Sequence, residues 1–136
     1  MQIGIRTTLS RFVSFGAVGV LGFVVDAGVL HVMLRSTHSG LYLGRAVSFL
    51  CAVTATWILN RTFTFRGAAG PSGMHHEWLR YLGANSMGAL INLGLYSVLV
   101  AHVAAFAATP AMAVAAGSLS GLVVNFALTK TYVFRT

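Results

Sequence analysis

The chain has 136 residues, of which 57% are hydrophobic and 8% charged, and nine Lys and Arg against Asp26 and Glu77 give a net charge of +7. A soluble domain carries about a quarter charged residues, so a water-covered globular fold is excluded, and a mean hydropathy of +0.80 points to lipid. The basic residues flank apolar runs and build neither a basic face nor a linear cluster, which favours anionic lipid and leaves no case for a nucleic-acid partner.

Residues 1–10 read as a short polar lead, mobile or lying at the membrane interface. The first span is Phe12–Leu34, longer than the roughly 20 apolar residues that a crossing helix needs. It exceeds a typical signal core, contains Asp26 and ends in no small-x-small cleavage site, so it reads as a retained helix. Gly16, Gly19 and Gly22 recur every three residues and allow close helix approach. They do not read as a nucleotide loop, because the strand–turn–helix context is missing. Asp26 sits about 12 Å below the outer end of this helix at 1.5 Å per residue.

Ser36–Gly40 forms the outer turn, and Leu41–Leu59 is the second span, near the lower length limit. Its length draws Arg45 into the outer membrane layer, within snorkelling reach of Asp26. That pair is either a structural contact or a polar element that senses or passes a head group; a protonated Asp26 bonded within the bundle is the third reading. Cys51, the single cysteine, excludes a disulfide framework and reads as a small packing residue. Asn60–Arg66 follows as a basic-aromatic tail.

Gly67–Gly73 is a flexible linker by its Gly, Pro and Ser. His75-His76-Glu77-Trp78 then reads as a loop nearing the membrane surface, and two adjacent histidines with no further ligand do not make a metal site. Tyr81–Ala104 is the third span. Ala107–Pro110 is the second outer turn, with Pro110 suited to a first helical turn. Ala111–Leu128 is the fourth span, carrying Gly117 and Gly121 as a GxxxG pair, and Thr129–Arg135 closes the chain.

The two ends of this pattern match. Asn60-Arg61-Thr62-Phe63-Thr64-Phe65-Arg66 returns 69 residues later as Thr129-Lys130-Thr131-Tyr132-Val133-Phe134-Arg135, and the same offset pairs Arg11-Phe12 with Arg80-Tyr81. One hairpin is repeated, about 11–66 and about 80–135 with a linker at 67–79, inside a single integral membrane domain spanning 1–136. Two crossings per copy make the repeats parallel, related by an axis along the membrane normal. The expected fold is an all-α bundle of four transmembrane helices whose basic tails face one another across a cytoplasmic opening. Arg6, Arg11, Arg61, Arg66, Arg80, Lys130 and Arg135 fall on one side, Arg35 and Arg45 on the other, so both termini are expected in the cytoplasm.

Arg61, Lys130, Arg66, Arg135, Arg11 and Arg80 are the candidate phosphate ligands: arginine can grip phosphate bidentately and lysine acts as a point charge. Phe63, Phe65, Tyr132 and Phe134 are interleaved with them. Basic anchors and an aromatic belt also occur at most helix ends for orientation alone. Asp26, Thr56, Asn60, Asn92 and Asn125 are candidates for a polar path through otherwise oily helices; the alternative is interhelical bonding worth ~0.6 kcal/mol each. No Ser/His/Asp set, paired carboxylates, ATP site, cofactor site or metal cluster can be assembled, so an enzyme is not expected.

These residues resemble the GtrA-like family of small bacterial membrane proteins. The resemblance rests on Arg11-Phe12-x-x-x-Gly16, Asp26, Asn60-Arg61-Thr62-Phe63-Thr64-Phe65, and Asn125-Phe126 followed by Thr131-Tyr132-Val133-Phe134. It implies translocation of a polyprenyl-phosphate-linked sugar across the bacterial cytoplasmic membrane for cell-surface polysaccharide or glycolipid synthesis. The partners implied are membrane lipids and a membrane glycosyltransferase, and four short helices enclose so little interior that a homodimer is also expected. Two rivals stand beside it: a non-transporting scaffold for a glycosyltransferase, and a small cation- or proton-coupled exporter using Asp26.

Overall fold

A computed structural model describes residues 2–38, 40–68 and 72–136; Ser39 of the first outer turn and residues 69–71 of the linker lie outside the described residues. Among the described residues all regular structure is helical. The elements are α1 (Gln2–Ser36), α2 (Leu41–Leu59), a π-helical turn π1 (Asn60–Thr64), α3 (Gly73–His102), the short α4 (Ala104–Ala108), α5 (Pro110–Leu128) and a second π-helical turn π2 (Thr129–Val133). Among the described residues four stretches are long and apolar enough to cross a membrane: Gln2–Ser36, Leu41–Thr64, Gly73–His102 and Pro110–Val133. The chain divides into two compact units, residues 1–69 and 70–136.

Helix is the form that satisfies every backbone group within one segment, which hydrocarbon requires. It runs further than the apolar runs suggest. The lead expected at residues 1–10 is helical from Gln2, with the Thr7 hydroxyl donating to the Ile3 carbonyl at 2.9 Å. The loop expected at His75–Trp78 is helical too, since α3 begins at Gly73. Hydropathy marks where a helix meets lipid, whereas its hydrogen bonds continue until a breaker appears, and none stands between Met74 and Arg80. At 35 and 30 residues, α1 and α3 are about 52 and 45 Å long, more than a hydrocarbon core of about 30 Å.

The ends are set locally. Thr37 returns both its N–H (3.3 Å) and its hydroxyl (2.7 Å) to the Met33 carbonyl, and His38 turns left-handed at φ 50°, closing α1. Pro110 occupies the first turn of α5, as expected.

In the first unit α1 and α2 form an antiparallel pair: Ser14 meets Thr64, Gly22 meets Thr56, Asp26 meets Arg45 and Leu34 meets Gly44. In the second unit α3 runs against α5 in the same sense, Arg80 meeting Tyr132, Gly88 meeting Asn125 and Asn92 meeting Gly117. Glycine decides both approaches. A Cβ on Gly22 would overlap the Thr56 methyl, one on Gly88 would overlap the Asn125 amide, and one on Gly121 would stand 2.9 Å from the Gly88 carbonyl. The GxxxG pair therefore packs as expected. The first-helix series does so only at Gly22, because a Cβ on Gly16 or Gly19 would meet nothing within 4 Å. Cys51, expected to pack, is exposed. Large apolar residues such as Val20, Phe23, Leu90, Leu93 and Leu119 are exposed as well, a surface suited to lipid and not to water.

Gly121→Leu forces a side chain against the α3 backbone and should cost about 1–3 kcal/mol. Gly16→Ala should stay within about 0.5 kcal/mol of the parent. Detergent unfolding followed by circular dichroism measures both; equal stability of the two variants would contradict the packing described.

Candidate functional site

Both units end in the same device. The Phe65 amide donates to the Asn60 carbonyl at 2.8 Å, and the Phe134 amide donates to the Thr129 carbonyl at 2.9 Å, each reaching back five residues. The basic-aromatic segments are thus helical turns and not tails. Matched threonines accompany the widening: the Thr62 hydroxyl donates to the Ile58 carbonyl and the Thr131 hydroxyl to the Ala127 carbonyl, both at 2.7 Å. Such back-bonding competes with the regular ladder and bends helices.

The wider turn re-aims the side chains that follow. Thr64 with Phe65, and Val133 with Phe134, are consecutive pairs buried together, while Phe63 and Tyr132 stay 68% and 66% exposed. In the first unit Phe65 receives the Phe15 ring edge-on at 6.4 Å and the Arg11 guanidinium at 5.8 Å. Arg61 lies over Trp57 at 5.9 Å. In the second unit Arg80 lies over Tyr132 at 6.0 Å, and its Nη1 is buried with no hydrogen-bond partner. Contacts of this kind are worth about 0.5–2 kcal/mol. A ring face accepts the charge but takes none of the five N–H donors in the guanidinium plane, so Arg11 and Arg80, held on Phe65 and Tyr132, keep donors for an oxyanion. Arg66 and Arg135 are exposed, with Arg135 left-handed at φ 51°, and Lys130 is half-buried.

The polar candidates separate by unit. Arg45 Nη1 donates to Asp26 Oδ2 at 3.0 Å, with the side chains 51% and 21% exposed; the expected contact is made. Thr56 spends its hydroxyl on its own helix, at 2.8 Å from the Ala52 carbonyl and 3.1 Å from that of Val53, and faces Gly22 with its methyl. Asn60 is buried, its Oδ1 accepting from the Thr64 hydroxyl at 2.8 Å, and Thr64 in turn accepts from Ser14 at 2.8 Å. This relay ties π1 to α1. In the second unit Asn125 lies on Gly88 with a buried Oδ1 that has no hydrogen-bond partner, and Asn92 lies against Gly117 and Gly121.

Some groups escaped the sequence reading. Glu77 is fully buried on α3; its place three residues before Arg80, one helical turn away, was the available signal. Ser14 gives no signal because a hydroxyl in an apolar run usually bonds its own helix, and Thr64 gives none because its segment reads as a tail and not as a helical turn. His75 and His76 are exposed on α3.

The sequence profile of the GtrA/DPMS transmembrane domain matches residues 14–134. The chain belongs to the GtrA/DPMS family. The match covers both units and both π turns, so this GtrA-like chain is a multi-pass membrane protein of a family that is generally non-catalytic and is tied to polyprenyl-phosphate sugar handling.

Two measurements probe these contacts. Thr64→Val removes the donor to Asn60 Oδ1 and should destabilise the protein by about 1–2 kcal/mol, read as a lower midpoint in detergent unfolding. Asp26→Ala and Arg45→Ala each leave a lone charge near lipid, so each single variant should be less stable than the double variant, in which no charge is stranded. Additive losses would show that the pair is not coupled.

Proposed function

We propose that this protein moves a polyprenyl-phosphate-linked monosaccharide from the inner to the outer leaflet of the bacterial cytoplasmic membrane, for cell-surface polysaccharide or glycolipid synthesis. The observation that carries the reading is the cation-on-ring end of each unit: Arg11 with Phe65 and Arg61 with Trp57 in one, Arg80 with Tyr132 in the other. An isoprenoid phosphate needs fixed donors for its oxyanions and an apolar surface for its chain, and these ends supply both. Family membership supports the same cargo. The excess of basic residues at these ends supports a cytoplasmic position for them. Arg66 and Arg135 add charge that draws an anionic head group to the surface. Movement by this route involves no covalent step, so the protein acts as a carrier.

Transbilayer movement of a short-chain polyprenyl-phosphate sugar in proteoliposomes tests the proposal. Arg61→Ala and Lys130→Ala should each lower the rate about 10-fold or more, the loss expected for a charge-assisted hydrogen bond. Unchanged rates in both variants refute the phosphate assignment. A wild-type protein that moves no lipid, even with its glycosyltransferase present, refutes transport and leaves a scaffold for that enzyme.

A further inference from the structure

The second unit contains a recess of about 230 Å³ lined by Ala89, Asn92, Leu93, Tyr96, Val114 and Ser118. It lies on α3 and α5, away from π2. Tyr96 is six residues before the end of α3 and Ser118 eight after the start of α5, about 9 and 12 Å along their helices. Lys130 is twelve residues further along the chain, about 18 Å away at the same rise. A group seated in the recess has therefore left the cationic turn.

Three of the six lining residues carry polar groups, and none is charged. Ser97 and Ser120 quiet their hydroxyls by donating to the Leu93 and Ala116 carbonyls, at 2.8 and 2.9 Å. Among the described residues Ser118 makes no such bond, and the Tyr96 hydroxyl and the Asn92 amide also form none. At membrane depth, uncommitted donors and acceptors are costly unless something polar meets them. The corresponding positions of the first unit, 69 residues earlier, hold Val20, Phe23, Val24, Ala27, Arg45 and Phe49, which offer no such uncharged set.

We propose that this recess is a second station for the cargo: a site for one uncharged, hydroxyl-bearing sugar ring of a lipid-linked substrate, bound by Asn92, Tyr96 and Ser118. The chemistry of the lining selects it. Amide, phenol and hydroxyl groups exchange hydrogen bonds with sugar hydroxyls in both directions. Leu93 and Val114 offer an apolar wall to the ring face. A phosphate finds no cation there. The recess is open on one side, with Leu93, Val114 and Ser118 exposed, and its volume equals about eight waters at roughly 30 Å³ each, room for one ring. The inference rests on the sugar-carrier reading, although binding at this site can be measured apart from transport.

Photolabelling in nanodiscs with a short-chain polyprenyl-phosphate sugar bearing a diazirine on the ring tests it. Label should appear on α3 around Leu93 and on α5 around Val114, besides label at the π turns. Tyr96→Phe with Ser118→Ala should cut recess labelling about tenfold, the loss of two hydrogen bonds, and leave labelling at the turns unchanged. Ala89→Trp, which fills the space, should abolish it. Excess sugar-bearing carrier should compete, while bare polyprenyl phosphate and free sugar should not.

Label confined to the turns overturns the proposal, as does recess labelling that survives the double variant. Equal competition by the bare carrier would place an isoprenoid chain in the recess, and equal competition by free sugar would place a soluble ligand there; either result overturns it. Normal recess labelling by a protein that moves no lipid would uphold the site and refute the transport reading alone.

Discussion

Hydrocarbon offers no partner to a backbone amide, and everything distinctive in this protein follows from how the chain meets that demand where it must also become basic. A conventional loop after α2 or α5 would free several carbonyls at the membrane surface. The chain widens its last turn instead. The Phe65 and Phe134 amides stay bonded, at 2.8 and 2.9 Å, to carbonyls five residues back, and the altered angle buries two consecutive side chains. There Phe65 meets both the Phe15 ring and the Arg11 guanidinium. Widened turns of this kind are rare and collect at functional places. Here one stands at each basic end.

On this shared frame the two units carry different chemistry. The first concentrates its polarity in fixed contacts: the Asp26–Arg45 pair and the Ser14–Thr64–Asn60 relay. At the matching positions of the second unit stand Leu95 and Val114, and Gly83, Val133 and Thr129. The second unit distributes its polar groups differently: Glu77 is fully buried, Asn92, Tyr96 and Ser118 stand along the recess, and Asn125 is pressed on Gly88. One unit is braced by its polar groups. The other sets three uncharged ones along its recess.

Much of this was legible in the sequence, for physical reasons. The spans followed from length and hydropathy, because lipid permits few alternatives to a helix. Gly117 and Gly121 announced a tight contact, and Arg45 could be drawn to Asp26 because a short second span leaves it nowhere else to go. The π turns were not legible as such, although Thr62 and Thr131 stand at matched places, because hydropathy ends with the apolar run and says nothing of hydrogen-bond register. The helical lead and the helical His75–Trp78 segment were missed for the same reason. Gly16 and Gly19 misled because spacing shows which residues share a helix face but not which face meets the partner. Thr56 looked available for a ligand; its hydroxyl has two backbone carbonyls within reach.

On the carrier reading proposed above, the protein must bind firmly enough to capture its cargo and loosely enough to release it, the same compromise that governs passage through a channel. A guanidinium free in water loses entropy whenever it grips an anion. One already laid on a ring has given up much of that freedom beforehand, so a given hydrogen bond holds the anion more tightly. Arg11, Arg61 and Arg80 are pre-set in this way by Phe65, Trp57 and Tyr132. Each charge-assisted bond contributes about 1.5–3 kcal/mol, and a site using several at once would trap a phosphate. Lys130, standing where the first unit has Arg61, replaces a planar fork by a point charge and lessens the geometric grip of its turn. If Lys130 takes the phosphate as proposed, the substitution keeps the sign of the charge while weakening the hold, as a step toward release requires.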